Sequence, residues 1–393
     1  MRTRVLIFCL LAAPVSIAAA QVAVVKTFPG TNGPTRPPIA GYSSDMMGCV
    51  SPKYLVGFIN PGFSVWLKAD GRQIQPDRSL GEFWTAAFKN AGTTMPAHPY
   101  DPRILFDPLS RRWFATCDAL TDEPGNRGGT RHMFLAVSAD DDPTRDWKAV
   151  DVEAKVERDV DNLKLGLDRN GVYLTGLVWT DEKTIPMVAI PKADLLWKRN
   201  AAPSLAHANH FAAVKAAPDP TRGTHGSRGD EGMIPAFDLD PDKKPGDPMI
   251  FINRFQADWD GETAMQIRKV TWTSPTTATM SGPMTVGLGA TLTEPTTQAM
   301  QPPLPQKELV SPPIRPGGGR LVNAVVSHGS VWAIAATEVG HHTGAFWVEI
   351  DLKTMKVVQR GNVSDPVADI VFASKSQWIR GNLVTLAGSR VTF

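Results

Sequence analysis

Two sets of side chains in this 393-residue chain have types and spacings that could do chemistry. His207-Ala208-Asn209-His210 separates two imidazoles by three residues. On one helical turn such a pair can approach a single ion or substrate, and imidazole suits zinc, copper or iron. Asp161 precedes an apolar run, Leu163–Leu167, so in a ring of sheets it would stand where a strand opens onto the axis. If the chain were an enzyme, Asp161 and His210 would be its catalytic participants. For ligand binding the candidates are Asp161, His207, His210 and Arg320, the last a guanidinium able to meet an acidic group. The bland alternatives are a solvated histidine pair and an aspartate that ties neighbouring strands.

Other patterns are weaker. Asp238, Asp240 and Asp242 alternate like the first ligands of a calcium loop, but Lys243 stands where the sharp turn needs Gly and Met249 where a bidentate Glu belongs. No cofactor is expected, with calcium the one ion the acidic loop leaves open. Glycoside cleavage needs two carboxylates that converge across one bond. Asp101, Asp107, Asp161 and Asp168 are available, but Asp107 and Asp168 sit in turns where a short acceptor can bond its own backbone. No G-x-S-x-G elbow and no G-x-x-x-x-G-K-[ST] phosphate loop is present.

Compartment narrows the classes. Arg2 and Arg4, the apolar stretch Val5–Ala20 and the small residues Ala18-Ala19-Ala20 read as a signal peptide over residues 1–20. The expectation is a secreted or periplasmic protein, monomeric, with no membrane segment after signal removal. Basic and acidic residues number 41 and 39, and losing Arg2 and Arg4 balances them, so no field draws in nucleic acid. Cys49 and Cys117 survive cleavage. In an oxidising compartment they could form one disulfide, or remain as two buried thiols.

These side chains need elements to position them. With 33 Gly and 33 Pro, the chain favours many turns and few long helices. Residues 21–48 read as an N-terminal strand, Val22–Phe28, and a Pro/Gly-rich lead-in. From there, short apolar runs alternate with turns: Tyr54–Ile59 with Phe63–Leu67, Arg103–Phe106 with Arg112–Cys117, Leu163–Leu167 with Val172–Trp179, and Leu321–Val326 with Val331–Ala336. Ala345–Ile350 and Met355–Val358 complete four strands in about forty residues, the period of a propeller blade. The pattern predicts an all-β propeller of six or seven four-stranded blades over residues 49–393, with the last blade incomplete if the ring closes elsewhere. Thr271–Thr297 could hide a blade, and residues 295–319 read as a Pro-rich loop. Two-sheet β-sandwich domains are the alternative architecture. Ser79–Lys89 predicts a short helix with Phe83, Trp84 and Phe88 on one side.

Several strings together resemble a group of exported bacterial β-propeller proteins with no assigned biochemical role. They include Val56-Gly57-Phe58-Ile59-Asn60, Asp101-Pro102-Arg103-Ile104-Leu105-Phe106-Asp107 ahead of Arg112-Trp113-Phe114, and Asp161 with Leu163-Lys164-Leu165-Gly166. Trp347-Val348-Glu349-Ile350-Asp351 and Val358-Gln359-Arg360-Gly361 extend the likeness to about residue 361. Members usually continue beyond the last blade with an aromatic- and Asp-rich segment, which does not follow here. The resemblance implies a propeller and export, and no reaction.

The reading drawn from all this is a noncatalytic exported binding or scaffolding propeller. Its partner would be a glycan, a small molecule or an extracellular protein, held by loops on rigid blades. The competing reading is a carbohydrate-active hydrolase or lyase working at the channel mouth.

Overall fold

The computed structural model describes residues 47–60, 62–121, 131–153, 160–178, 185–198, 201–211, 233–240, 242–244, 246–256, 263–293, 321–365, 369–377 and 384–391. The signal segment 1–20, most of the lead-in, the Pro-rich loop 295–319 and Arg320 lie outside them.

Antiparallel hairpins build the chain in sequence order. The first sheet is β1 (Met47–Val50), β2 (Tyr54–Ile59), β3 (Gly62–Leu67) and β4 (Gln73–Ser79). The second is β5 (His98–Asp107), β6 (Arg112–Leu120), β7 (Arg131–Ser138) and β8 (Trp147–Val152). The third is β9 (Val160–Leu167), β10 (Gly171–Val178), β11 (Met187–Pro191) and the two-residue β12 (Asn209–His210). The fourth opens with β13 (Ile234–Pro235), after which β14 (Phe237–Asp238) leaves for the next sheet. It continues with β15 (Met249–Gln256) and β16 (Thr263–Trp272), and both β17 (Ala278–Met280) and β18 (Met284–Gly287) pair with β16. The fifth is β19 (Leu321–Ser327), β20 (Ser330–Val339), β21 (His342–Asp351) and β22 (Lys356–Val363), with β14 parallel on β19.

This is a five-bladed β-propeller, which corrects both the expected six or seven blades and the sandwich alternative. Two readings inflated the number. The Thr/Ser/Gly-rich stretch after Trp272 supplies only the outer strands of the fourth blade. The last apolar runs form a two-stranded sheet, β23 (Asp369–Gln377) with β24 (Val384–Val391), and not a four-stranded unit.

The first strands β1, β5, β9, β13 and β19 run next to one another from blade to blade, so they form the inner layer. At Gly166 of β9 an added Cβ would stand 2.6 Å from Pro235 of β13, so only glycine permits this approach. Apolar side chains fill the gaps between consecutive blades. Phe58, Phe63, Trp113 and Phe134 pack between the first two, and Leu135, Leu163, Val172 and Ile190 between the second and third. Burying each large side chain contributes about 2–3 kcal/mol. The helix α1 (Leu80–Asn90) seals the first gap with Phe83, Trp84 and Phe88. Its start is a capping box: Ser79 Oγ accepts from Glu82 N (3.1 Å) and Glu82 Oε2 accepts from Ser79 N (2.8 Å). Trp147 is 5% exposed, donates its indole N–H to Pro143 O and packs in the same gap.

Cys49 and Cys117 are free thiols, which corrects the disulfide expectation. Cys49 lies beside the Phe106 backbone and Cys117 beside that of Tyr100. Those residues stand six apart on β5, a rise of roughly 20 Å, whereas a disulfide needs Cα atoms within about 7 Å. Burial pushes the Cys49 thiol up to about 11 and Cys117 well above its usual range. No helix among the described residues is long and apolar enough to cross a membrane.

Candidate active site

Each blade enters on its inner strand, turns, and returns on the second. The leading end of the inner strand therefore shares one end of the propeller with the turn between the second and third strands. At this end the inner strands are irregular. The β5–β6 ladder shifts between Tyr100 and Arg103, the β9–β10 ladder between Thr175 and Leu177, and the β19–β20 ladder between Leu321 and Asn323. Asp101 and Asn162 both take the left-handed conformation, at φ 49° and 51°. For residues other than glycine this is a sparsely populated region that persists where the surroundings hold it, often at functional sites.

What holds them is a polar network across three blades. Asn60, in the β2–β3 turn, donates through Nδ2 to Asp101 Oδ1 (2.8 Å) and accepts from Asp101 N (2.9 Å). Arg103 reaches the third blade, donating through Nη2 to Asn162 Oδ1 (2.7 Å) and through Nε to Leu163 O (3.0 Å). Its Nη1 lies 3.2 Å from Met47 Sδ on β1. Lys164 donates to the same Asn162 oxygen at 2.6 Å. Asp118, at the end of β6 and 1% exposed, accepts from Leu163 N at 3.2 Å. Two carboxylates in different surroundings, one buried and one half-buried, thus share this end with a guanidinium and an ammonium. Such a set can transfer protons and orient hydroxyl or acidic groups.

Of the residues marked in the sequence, Asp161 lies on β9 next to Asn162, opposite Leu177 across the ladder; its side chain is outside the described residues. His210 is on β12, the far edge of the same sheet. Three strand spacings separate the two strands, roughly 14 Å. His207 Nδ1 stands 2.9 Å from Asp194 Oδ2 on the exposed rim. Asn209 ties that rim to the fourth blade by donating to Thr276 O and accepting from Ala278 N. Sequence reasoning passed over Asn60, Asp118, Asn162 and Lys164. The available signal was the repeated Asp-x-Arg and Asp-Asn-x-Lys pattern opening two successive inner strands.

The turn carboxylates at the opposite end are structural. Asp107 accepts from Leu109 N and Ser110 N and pairs with Lys192 Nζ at 2.7 Å; Asp168 accepts from Asn170 N and Gly171 N. Asp238 pairs with Lys243 at 2.6 Å and is not a calcium ligand. A group able to hold a cation such as calcium does exist nearby: Asp240, Asp242 and His328 bring ligand atoms within 4.8 Å of one another.

No protein-family model matches the chain, and no curated protein matches it. Solved structures are similar to it. An α-L-arabinofuranosidase from Podospora anserina in complex with cellotriose aligns with 79% of this chain and 90% of its own, at 10% identity and a TM-score of 0.37. An α-L-arabinofuranosidase from Lactobacillus brevis aligns with 78% and 83%, at 11% identity and a TM-score of 0.33. A family 117 glycoside hydrolase from Zobellia galactanivorans aligns with 72% and 74%, at 9% identity and a TM-score of 0.33. At such scores they assign neither substrate nor residues.

They do correct the expected kinship. The named matches are carbohydrate-active enzymes and not exported propellers without a role. The expectation of a noncatalytic binding or scaffolding protein, drawn with that kinship, is withdrawn with it.

Proposed function

We propose that the chain is a carbohydrate-active hydrolase or lyase that takes its substrate at the propeller's channel mouth, where the inner strands begin. The observation that carries this reading is the polar network at two strained strand openings, in which Asn60 holds Asp101, Asp118 accepts from Leu163 N, and Arg103 and Lys164 both donate to Asn162. Hydrolysis of a glycosidic bond needs one carboxyl group as acid and a second as base or nucleophile. Asp101, Asp118 and Asp161 are the candidates. Asp161 is assigned first to proton transfer, since it precedes Asn162 on the inner strand and so borders the network. Arg103 and Lys164 would hold hydroxyl or acidic substituents of the ligand, and Arg320, one residue before β19, would join them. The partner is a glycan or a small sugar, and the signal segment would send the enzyme to the periplasm or the medium.

The test is a screen of the chain from Gln21 onward against nitrophenyl glycosides and plant and algal polysaccharides, with products identified by chromatography and mass. The expected result is turnover that falls by a factor of about 10²–10⁴ in Asp118→Asn or Asp161→Ala while the melting temperature holds. Product formation indifferent to both substitutions, or tight binding with no product across the panel, refutes the assignment.

A further inference from the structure

We infer that Asp240, Asp242 and His328 form a divalent-metal clasp of the zinc class, joining the acidic loop after β14 to the β19–β20 turn of the fifth blade. The clasp lies at the opposite end of the propeller from the candidate active site and is independent of the proposed activity.

The three residues come from two segments far apart in sequence, and their ligand atoms lie within 4.8 Å of one another. Ligands bound to one zinc at about 2.0–2.2 Å stand roughly 3–4 Å apart, so small side-chain rotations close the set. His328 Nδ1 is 3.9 Å from Asp242 Oδ2, too far for a hydrogen bond and about the spacing of two ligands on one ion. Asp240 is already oriented. It is 6% exposed, with Oδ1 accepting from Asp242 N (3.0 Å) and Oδ2 from Gly329 N (2.8 Å). The second bond fixes the turn that carries His328, so the carboxylate and the imidazole are positioned by one contact. Fixing of ligand orientation by a second set of hydrogen bonds is how metal sites gain affinity. Asp242 and His328 face solvent, which leaves water for the remaining coordination positions.

The donor set decides the ion. Calcium takes six to eight oxygens, and among the described residues the cluster offers two carboxylates and a nitrogen. Asp238 cannot add a third carboxylate because its Oδ2 takes the Lys243 ammonium at 2.6 Å. One imidazole with two carboxylates suits zinc, cobalt or nickel.

Calorimetric titration of the chelator-treated chain from Gln21 with zinc, cobalt and calcium chlorides tests the clasp. The expected result is one zinc per chain at micromolar affinity or tighter, with calcium at least about tenfold weaker. Zinc at a hundredfold excess over Kd should raise Tm by about 4 °C. His328→Ala should cut zinc affinity at least about tenfold without changing the metal-free Tm, and cobalt should lose its nitrogen-ligand absorption. His207→Ala should change nothing, because that imidazole is on the rim of the third blade. No zinc binding at 1 mM, zinc affinity unchanged by His328→Ala, or calcium held as tightly as zinc overturns the inference.

Discussion

Lys243→Met tests whether the third blade is fastened to the connection between β14 and β15 by a buried charge. The Lys243 ammonium lies 2.6 Å from Asp238 Oδ2 and 3.0 Å from Asp168 Oδ2. Neither carboxylate reaches water, at 2% and 0% exposure. Burial pushes the Asp238 carboxyl upward, only partly offset by Lys243; burial would lower Lys243, but Asp168 and Asp238 outweigh it and hold the ammonium charged. Removing one member of a buried pair costs about 3–5 kcal/mol, because the other charge is left uncompensated. Here methionine strands two carboxylates, so the upper half of that range, about 4–5 kcal/mol, is expected. Unfolding entropy near 2.1 cal/mol/K per residue gives a propeller of this size about 0.7 kcal/mol/K, so Tm should fall by about 6–7 °C. The pH dependence has a definite sign. A carboxyl whose folded pKa lies above 3.8 adds stability that is fully present below 3.8 and lost as pH rises through the folded value. Without Lys243 the Asp238 pKa climbs further, so the deficit is largest at pH 8 and shrinks towards pH 5. Urea unfolding of wild type, Lys243→Met and the double variant with Asp238→Asn, at both pH values, measures this. The double variant should recover part of the loss. A variant within 1 kcal/mol of wild type at pH 8, or a deficit that grows as pH falls, refutes the reasoning.

Two further outcomes are expected. With Cys49 raised to about 11, only about a thousandth of it is thiolate at pH 8, so the folded chain from Gln21 should release almost no thionitrobenzoate within minutes and two equivalents once unfolded in guanidinium. Immediate release of two equivalents from the folded chain contradicts the raised Cys49 thiol and the burial of Cys117. Ser79→Ala removes the acceptor for Glu82 N and should cost about 1 kcal/mol in urea unfolding. Ser79 also holds the Glu82 carboxyl below its usual range, first through its backbone N–H and then through its hydroxyl, a contribution present above pH 4.5 and lost as pH falls through the lowered value; Ser79→Ala keeps the backbone bond, so the acid limb should shift only in part.

The strands were legible where side-chain alternation and turn chemistry agreed. Tyr54–Ile59 is bounded as the apolar run predicts, and the four runs from Leu321 onward form one sheet. Blade number was not legible, because a blade is defined by which strands pair. The stretch after Trp272 has two strand-forming pieces, and only their shared register on β16 shows that both close an existing sheet. The site was half legible. Asp161 attracted notice through its place before an apolar run, and Asn162 beside it did not, since an asparagine there reads as a turn residue. Its significance comes from φ 51° and from Arg103, fifty-nine residues away, donating to it. The histidine pair was legible only as a spacing: in the structure His207 stands beside Asp194, and His210 lies on the edge strand β12.

The two ends of the inner strands are built from different physics, which bears on where the protein can change. At the turn end, each buried lysine is tied to a carboxylate of the preceding blade: Lys192 to Asp107 and Lys243 to Asp168. Replacing one member leaves a charge with no water to receive it, so these positions resist substitution one at a time. At the leading end, Asp101 and Asn162 occupy strained backbone and are held by the Asn60 amide, by Arg103 arriving from the second blade and by Lys164 on the same strand. Strain of about 1–3 kcal/mol per residue persists where the surroundings over-determine it, and the network can do so only while the blades keep their spacing. Weakening the turn-end pairs should therefore loosen the geometry at Asp101 and Asn162 before the chain unfolds. Lys243→Met should lower any turnover at temperatures well below its own Tm, and activity that follows only the unfolding curve would separate the two ends.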